Sequence, residues 1–165
     1  MHEIGHNIGL AHSGEGGSTY GDVTGIMGAS FTDDGKMTFN GAKNGAQLSW
    51  YNDRRVTAPF NGDLYGISDY GTTGTSAKMN IKFTEGSKDY YVSFNKKSGI
   101  NSDTREYGNQ VLVHSRSPGS GYATSVLEAH LTAGGSYTVG STSFTVGTIG
   151  NTAQINFGTY IYIVV

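Results

Sequence analysis

The sequence predicts an α+β protein: two short helices in a loop-rich N-terminal region, followed by an all-β antiparallel sandwich. Three observations predict it. Apolar residues recur at helical spacing only near the N-terminus, at Ile4, Ile8 and Ala11 and again at Ala42, Ala46 and Trp50. Beyond residue 60 the pattern becomes short alternating runs separated by Gly-containing turns. The composition agrees: 26 Gly and 11 Tyr among 165 residues, with frequent Ser and Thr, favour turns and strands over helices.

Residues 1–12 read as a helix and a turn, with Gly9 as the C-terminal stop. Residues 13–38 are a loop-rich stretch containing seven glycines. Residues 40–51 read as a second helix, with Asn40 as N-cap and Trp50 anchoring it to the core. Pro59 and the Asn61-Gly62-Asp63 turn mark a junction, which divides the chain into 1–60 and 61–165. Candidate strands follow at Leu64–Tyr70, Ala77–Thr84, Tyr90–Asn95, Gln110–His114, Ser125–Leu131, Ser136–Val139, Thr142–Val146, Ala153–Phe157 and Tyr160–Val165. YTVGSTSFTVG reads as a tight hairpin. Many short strands joined by turns are the pattern of a sandwich. The terminal YIYIVV is expected to be a strand buried on both faces.

Composition also excludes function classes. A formal net charge of -2 with 15% charged residues gives no electrostatic grip on nucleic acid or an anionic membrane. No apolar run is long enough for membrane insertion as a helix. The chain has no cysteine, so a metal would rest on His and carboxylates. No leader sequence is visible, because Met1 is followed at once by His2 and Glu3.

The most informative segment is HEIGHNIGLAH, at residues 2–12. His2 and His6 are four apart, so on a helix both imidazoles project from one face and can share a zinc ion. Glu3 lies beside such a metal, placed to take a proton from an attacking water and pass it to the leaving amine. A third ligand must come from beyond the helix end. Gly9 lets the backbone turn back, since a positive φ costs Gly almost nothing, and His12 then completes the set. Five fixed positions, three of them histidine, should arise by chance in about one chain in 100,000, which favours the zinc site over scattered surface histidines. Met27, fifteen residues beyond His12, fits a structural floor beneath the imidazoles and not a fourth ligand, because thioether prefers softer metals.

HEIGHNIGLAH followed by Ile26-Met27-Gly28 resembles the metzincin metallopeptidases. More closely, MHEIGHNIGLAHSGE, YGDVTGIMG and FNGAKNGAQLSWY resemble the gametolysin family of zinc peptidases, and YYVSFNKKSGIN is similar to a C-terminal stretch of those proteins. The resemblance implies that residues 1–60 are the lower half of a metzincin catalytic domain, with Met27 in the Met-turn. It implies Zn2+ as cofactor and a secreted endopeptidase acting on extracellular-matrix or cell-wall proteins. Some relatives carry Cys near the Met-turn; Thr24, Gly25 and Thr38 stand there, so that disulfide is absent. Some metzincins place a Tyr just after the Met-turn, but position 29 is Ala, so no oxyanion-stabilising group is assigned. Metzincin catalytic domains also place a sheet and a long helix before the motif. The chain is therefore expected to be a C-terminal portion, one that in isolation binds zinc weakly and cleaves protein poorly.

The remaining candidates read blandly. Asp22, Asp33 and Asp34 do not match a calcium-loop spacing and are expected to be solvated turn residues. His114 and His130 are expected to be partly exposed strand residues, and Lys96 and Lys97 to face solvent. Tyr90, Tyr91, Tyr160 and Tyr162 are expected to pack in the core, although such residues could line a glycan-binding face. The alternative to a peptidase is a non-catalytic β-sandwich module that binds matrix or cell-wall material.

Overall fold

Alternation along the strands decides the architecture, because it leaves apolar side chains on a face that must be buried. In the computed structural model, which describes residues 1–29, 35–119 and 121–158 but not the side chain of Asn44, two β-sheets pack face to face. The expected strand at Tyr160–Val165, with Tyr160 and Tyr162, lies outside the described residues, as do Asp33 and Asp34.

Ten strands are described: β1 (Ser13–Glu15), β2 (Arg55–Thr57), β3 (Asn61–Tyr65), β4 (Asn80–Glu85), β5 (Lys88–Phe94), β6 (Val111–Arg116), β7 (Ser125–Leu131), β8 (Ser136–Val139), β9 (Thr142–Ile149) and β10 (Thr152–Phe157). Six form one sheet in the order β1-β7-β6-β5-β4-β2, and four the other in the order β3-β10-β9-β8. The main core lies between them: Ile81 and Phe83 of β4, Val92 and Phe94 of β5, Val111 and Val113 of β6, against Leu64, Phe144, Val146 and Ile155 of the smaller sheet. The β8–β9 hairpin turns at Gly140-Ser141, where Gly140 has φ 55.

Three expectations are corrected. The strand expected at Leu64–Tyr70 starts and ends earlier, at Asn61–Tyr65, and gives way to a single tight turn at Ile67–Asp69. The sandwich is antiparallel in its middle, but β1 and β2, both from residues 1–60, add parallel to β7 and β4 at its two edges. Three residues are too few to show alternation, so only their partners define them. The second helix is shorter than 40–51. Asn40 does cap it, its Oδ1 accepting from Lys43 N–H at 3.0 Å. It then widens at Lys43–Gln47 and stops at Ser49 and Tyr51, both with positive φ. Trp50 consequently does not anchor it: the indole is 47% exposed and leans on Phe39.

The six-stranded sheet is covered on its second face as well. There the N-terminal region packs a smaller core of Leu10, Ile26, Met27, Met37 and Phe39, beside a buried polar network. Asp22 and His114 were expected at the surface; both are fully buried. His114 Nε2–H donates to Asp22 Oδ2 at 3.0 Å, and the same carboxylate accepts from Asn40 Nδ2 at 2.9 Å and from the Thr24 N–H and hydroxyl. Burial alone would raise the Asp22 pKa, but His114, Thr24 and Asn40 together hold it below the ordinary carboxylate value. Asn40 also donates to Ser13 Oγ and Ser125 Oγ, at 3.0 Å each. His130 does remain exposed, stacked on Tyr107. Lys97 faces solvent, whereas Lys96 is half-buried in an ion pair with Asp69.

Three predictions follow from this packing. Replacing His114 with Leu leaves Asp22 charged, buried and short of a donor, so urea unfolding should show a loss of about 3–5 kcal/mol. Because the Asp22 pKa is depressed in the fold, its contribution is present above the ordinary carboxylate pKa and lost as pH falls below it; Asp22→Asn should flatten stability in that acid range. Lys43 adds a second rise of stability with pH, in the alkaline range. Burial, reinforced by Arg116, lowers its pKa to about 7, and its Nζ donates to Ala123 O at 2.9 Å. Between about pH 7 and the free-lysine value of about 10.4 the unfolded chain binds the extra proton, so stability rises with pH. Lys43→Met should abolish that rise in thermal melts taken from pH 7 to 10.

Candidate metal centre

Three histidines converge at the N-terminus, and a different device holds each. His2 and His6 lie on α1 (His2–Asn7), one turn apart. The helix ends in a Schellman arrangement around Gly9, which has φ 87: Gly9 N–H bonds to His6 O at 2.9 Å and Leu10 N–H to Gly5 O at 2.9 Å. The Gln47 side-chain amide donates to Gly9 O. The chain thus reverses, and His12 enters from the opposite side just before β1. There Ser125 N–H donates to His12 O at 3.2 Å and Ser13 N–H to Met27 O at 2.8 Å.

The imidazoles are aimed by backbone carbonyls. His2 Nδ1–H donates to Ile26 O and His6 Nδ1–H to Leu10 O, both at 2.8 Å. A carbonyl accepts only, so each Nδ1 carries the proton and each Nε2 is left with a free lone pair. His6 Nε2 and His12 Nε2 stand 3.1 Å apart, and one nitrogen from each of the three rings lies within 4.8 Å of the others. Neighbouring ligands on a tetrahedral zinc are separated by roughly 3.3 Å, so the His6–His12 pair is already at ligand spacing and the donor set fits the ion once its wider separations close by up to about 1.5 Å. Burial, then His6 and His2, lower the pKa of His12, which favours the neutral ring that binds metal. Among the described residues no other group of three or more His and carboxylate side chains could hold a metal.

The other predicted residues surround this cluster. Glu3 is exposed in the first turn of α1 and acts electrostatically on His12. Met27 is 1% exposed and packs directly beneath Gly5, between the two helical histidines in sequence. A Cβ at position 5 would drive into the Met27 sulfur. Sequence reasoning missed Tyr20, whose ring lies 4.2 Å from that of His12, and the Asp22 network behind the site. The quoted YGD held both residues, but nothing local marks their partners.

Residues 1–81 match the family model of the gametolysin peptidases, M11. This segment is gametolysin-like. No curated protein and no solved structure gives a significant match to the chain. The gametolysin family comprises metallopeptidases, and the match spans the three histidines, Glu3 and Met27. Among the described residues no helix is long and apolar enough to cross a membrane.

Gly5 and Gly9 separate two kinds of constraint. At Gly9 a Cβ would meet nothing, so Gly9→Ala should cost only the left-handed backbone penalty of about 1–2 kcal/mol. At Gly5 the obstacle is steric. Gly5→Ala should lower zinc affinity in chelator competition more than Gly9→Ala does, and shortening the obstructing side chain in Gly5→Ala/Met27→Ala should restore part of it.

Proposed function

We propose that this protein is a zinc-dependent endopeptidase of the metzincin type, with His2, His6 and His12 as the metal ligands, Glu3 as the catalytic base, and Gly9 and Met27 as structural supports. The observation that carries this reading is the pair of Nδ1–H donations to Ile26 O and Leu10 O, which turn unprotonated nitrogens toward His12. Such carbonyl-held imidazoles are how proteins orient metal ligands. Zinc, when bound, lowers the pKa of a water and polarises the scissile carbonyl. Glu3 takes the proton of the attacking water and returns it to the amide nitrogen as the C–N bond breaks. Its exposure lets a polypeptide approach it.

In this reading residues 1–60 form the site-bearing, lower part of a metzincin catalytic domain, and residues 61–165 the β-sandwich. The substrate is a protein of the extracellular matrix or cell wall, and the protein works outside the cell; the gametolysin resemblance supports both.

Zinc stoichiometry tests the ligands, and Glu3→Gln tests the chemistry. In direct titration with zinc the wild-type chain and Glu3→Gln should each take up about one ion, and His2→Ala or His12→Ala almost none. Whatever peptide hydrolysis the wild type shows should fall by about 10²–10⁴-fold in Glu3→Gln. Zinc retained by both histidine variants would sink the ligand assignment. Matrix binding by residues 61–165 without zinc uptake by the full chain would instead favour a non-catalytic module.

A further inference from the structure

We infer that Tyr20 is the group that contacts the substrate's carbonyl oxygen during hydrolysis, an inference that rests on the peptidase reading above. The reaction needs such a group. As water adds, its oxygen bonds to the carbonyl carbon, the π pair moves onto the carbonyl oxygen, and the proton goes to Glu3. The proton then reaches the amide nitrogen as the C–N bond breaks and the π bond re-forms. A hydrogen-bond donor aimed at the developing oxyanion stabilises the transition state more than the ground state.

Tyr20 has the features this role demands. Its ring is tilted 45° over His12 at a centroid distance of 4.2 Å, so it is the aromatic side chain at the rim of the triad. It is 49% exposed, on the side open to solvent. Its hydroxyl donates to nothing among the described residues, whereas the Tyr107 hydroxyl is engaged by Glu15. The backbone beneath it is fixed. Ala29 N–H donates to Tyr20 O at 3.0 Å, which ties Tyr20 to the Met27 turn, and Gly21 N–H closes the Ser18–Gly21 turn on Ser18 O at 3.2 Å. At Gly28 a Cβ would run into the Asp22 carbonyl, so the Met27 turn and the Tyr20–Asp22 segment lie in direct contact. The same turn that holds His2 through Ile26 O therefore also sets Tyr20. Other polar groups nearby are committed: Gln47 donates to Gly9 O, and Lys43 is buried and donates to Ala123 O.

The test uses the cobalt-loaded full chain, whose visible absorption reports events at the metal. Two probes are titrated: a phosphinic peptide, a tetrahedral mimic of the hydrated amide, and acetohydroxamate, a planar chelator. Tyr20→Phe should leave the cobalt spectrum and acetohydroxamate affinity within about twofold of wild type while weakening the phosphinic peptide by about tenfold or more. Tyr20→Ala, which also removes the ring over His12, should lose no more phosphinate affinity than that beyond any change in cobalt affinity. Equal phosphinate affinity in wild type and Tyr20→Phe overturns the inference. So does a changed cobalt spectrum in Tyr20→Phe, which would make Tyr20 a ligand or a support for His12. Cobalt binding without phosphinate binding by the wild type also overturns it, and a chain that takes up no cobalt sinks the peptidase reading itself.

Discussion

The buried carboxylate of Asp22 is the constraint on which the rest of the structure depends. A charge without exposure survives only where donors replace its water, and Asp22 has them from three parts of the chain: Thr24 on its own loop, Asn40 at the second helical segment, and His114 on β6. Asn40 extends the network to Ser13 and Ser125, across the β1–β7 pair. Ser13 follows His12 directly. The third histidine of the cluster is therefore held, through two hydrogen-bonded residues, to the middle of the six-stranded sheet. His114 shows the same logic from the other side. Its ring reaches Asp22 because β6 is buried on both faces, one against the smaller sheet and one against the N-terminal region.

Around that anchor the triad is assembled by backbone more than by side chains. A turn carbonyl orients His2, a carbonyl just past the helix end orients His6, and a strand partner fixes the His12 backbone. These acceptors come from residues 10 and 26 and that donor from residue 125, so the site needs the helix reversal, the Met27 turn and the sandwich to be folded together. Met27 serves this arrangement mechanically. Its sulfur lies where a Cβ of residue 5 would be, so the turn can approach the helix closely enough for Ile26 O to reach His2.

What was legible in the sequence was what is local. The histidine spacing, the Gly9 reversal and the Asn40 cap each depend on residues within one or two turns. The central strands announced themselves because each has enough residues to alternate. What was illegible depends on distant partners. Asp22 and His114 are separated by 92 positions, and each alone looks like a surface residue. β1 and β2 are three-residue strands whose existence rests on β7 and β4. Trp50 followed a helical repeat that the backbone abandons at Ser49, where φ becomes positive. Propensity could not foresee that stop, because the residues there carry no Pro or Gly signal.

The division of the sequence into a motif-bearing part and a β-rich part understates how they meet. β1 pairs with β7 alone, and β2 with β4, so both edges of the large sheet are borrowed from the first 60 residues. A parallel pairing needs a long connection, and here it closes 112 residues between Ser13 and Ser125. Contacts of that sequence separation carry a loop-closure cost that local contacts do not. The helical histidines can sit one turn apart as soon as α1 forms, but His12 reaches them only when β1 has docked. The histidine cluster is thus completed by the sandwich, and the β1–β7 pairing that positions the third histidine also brings Ser13 and Ser125 to the Asn40–Asp22 network.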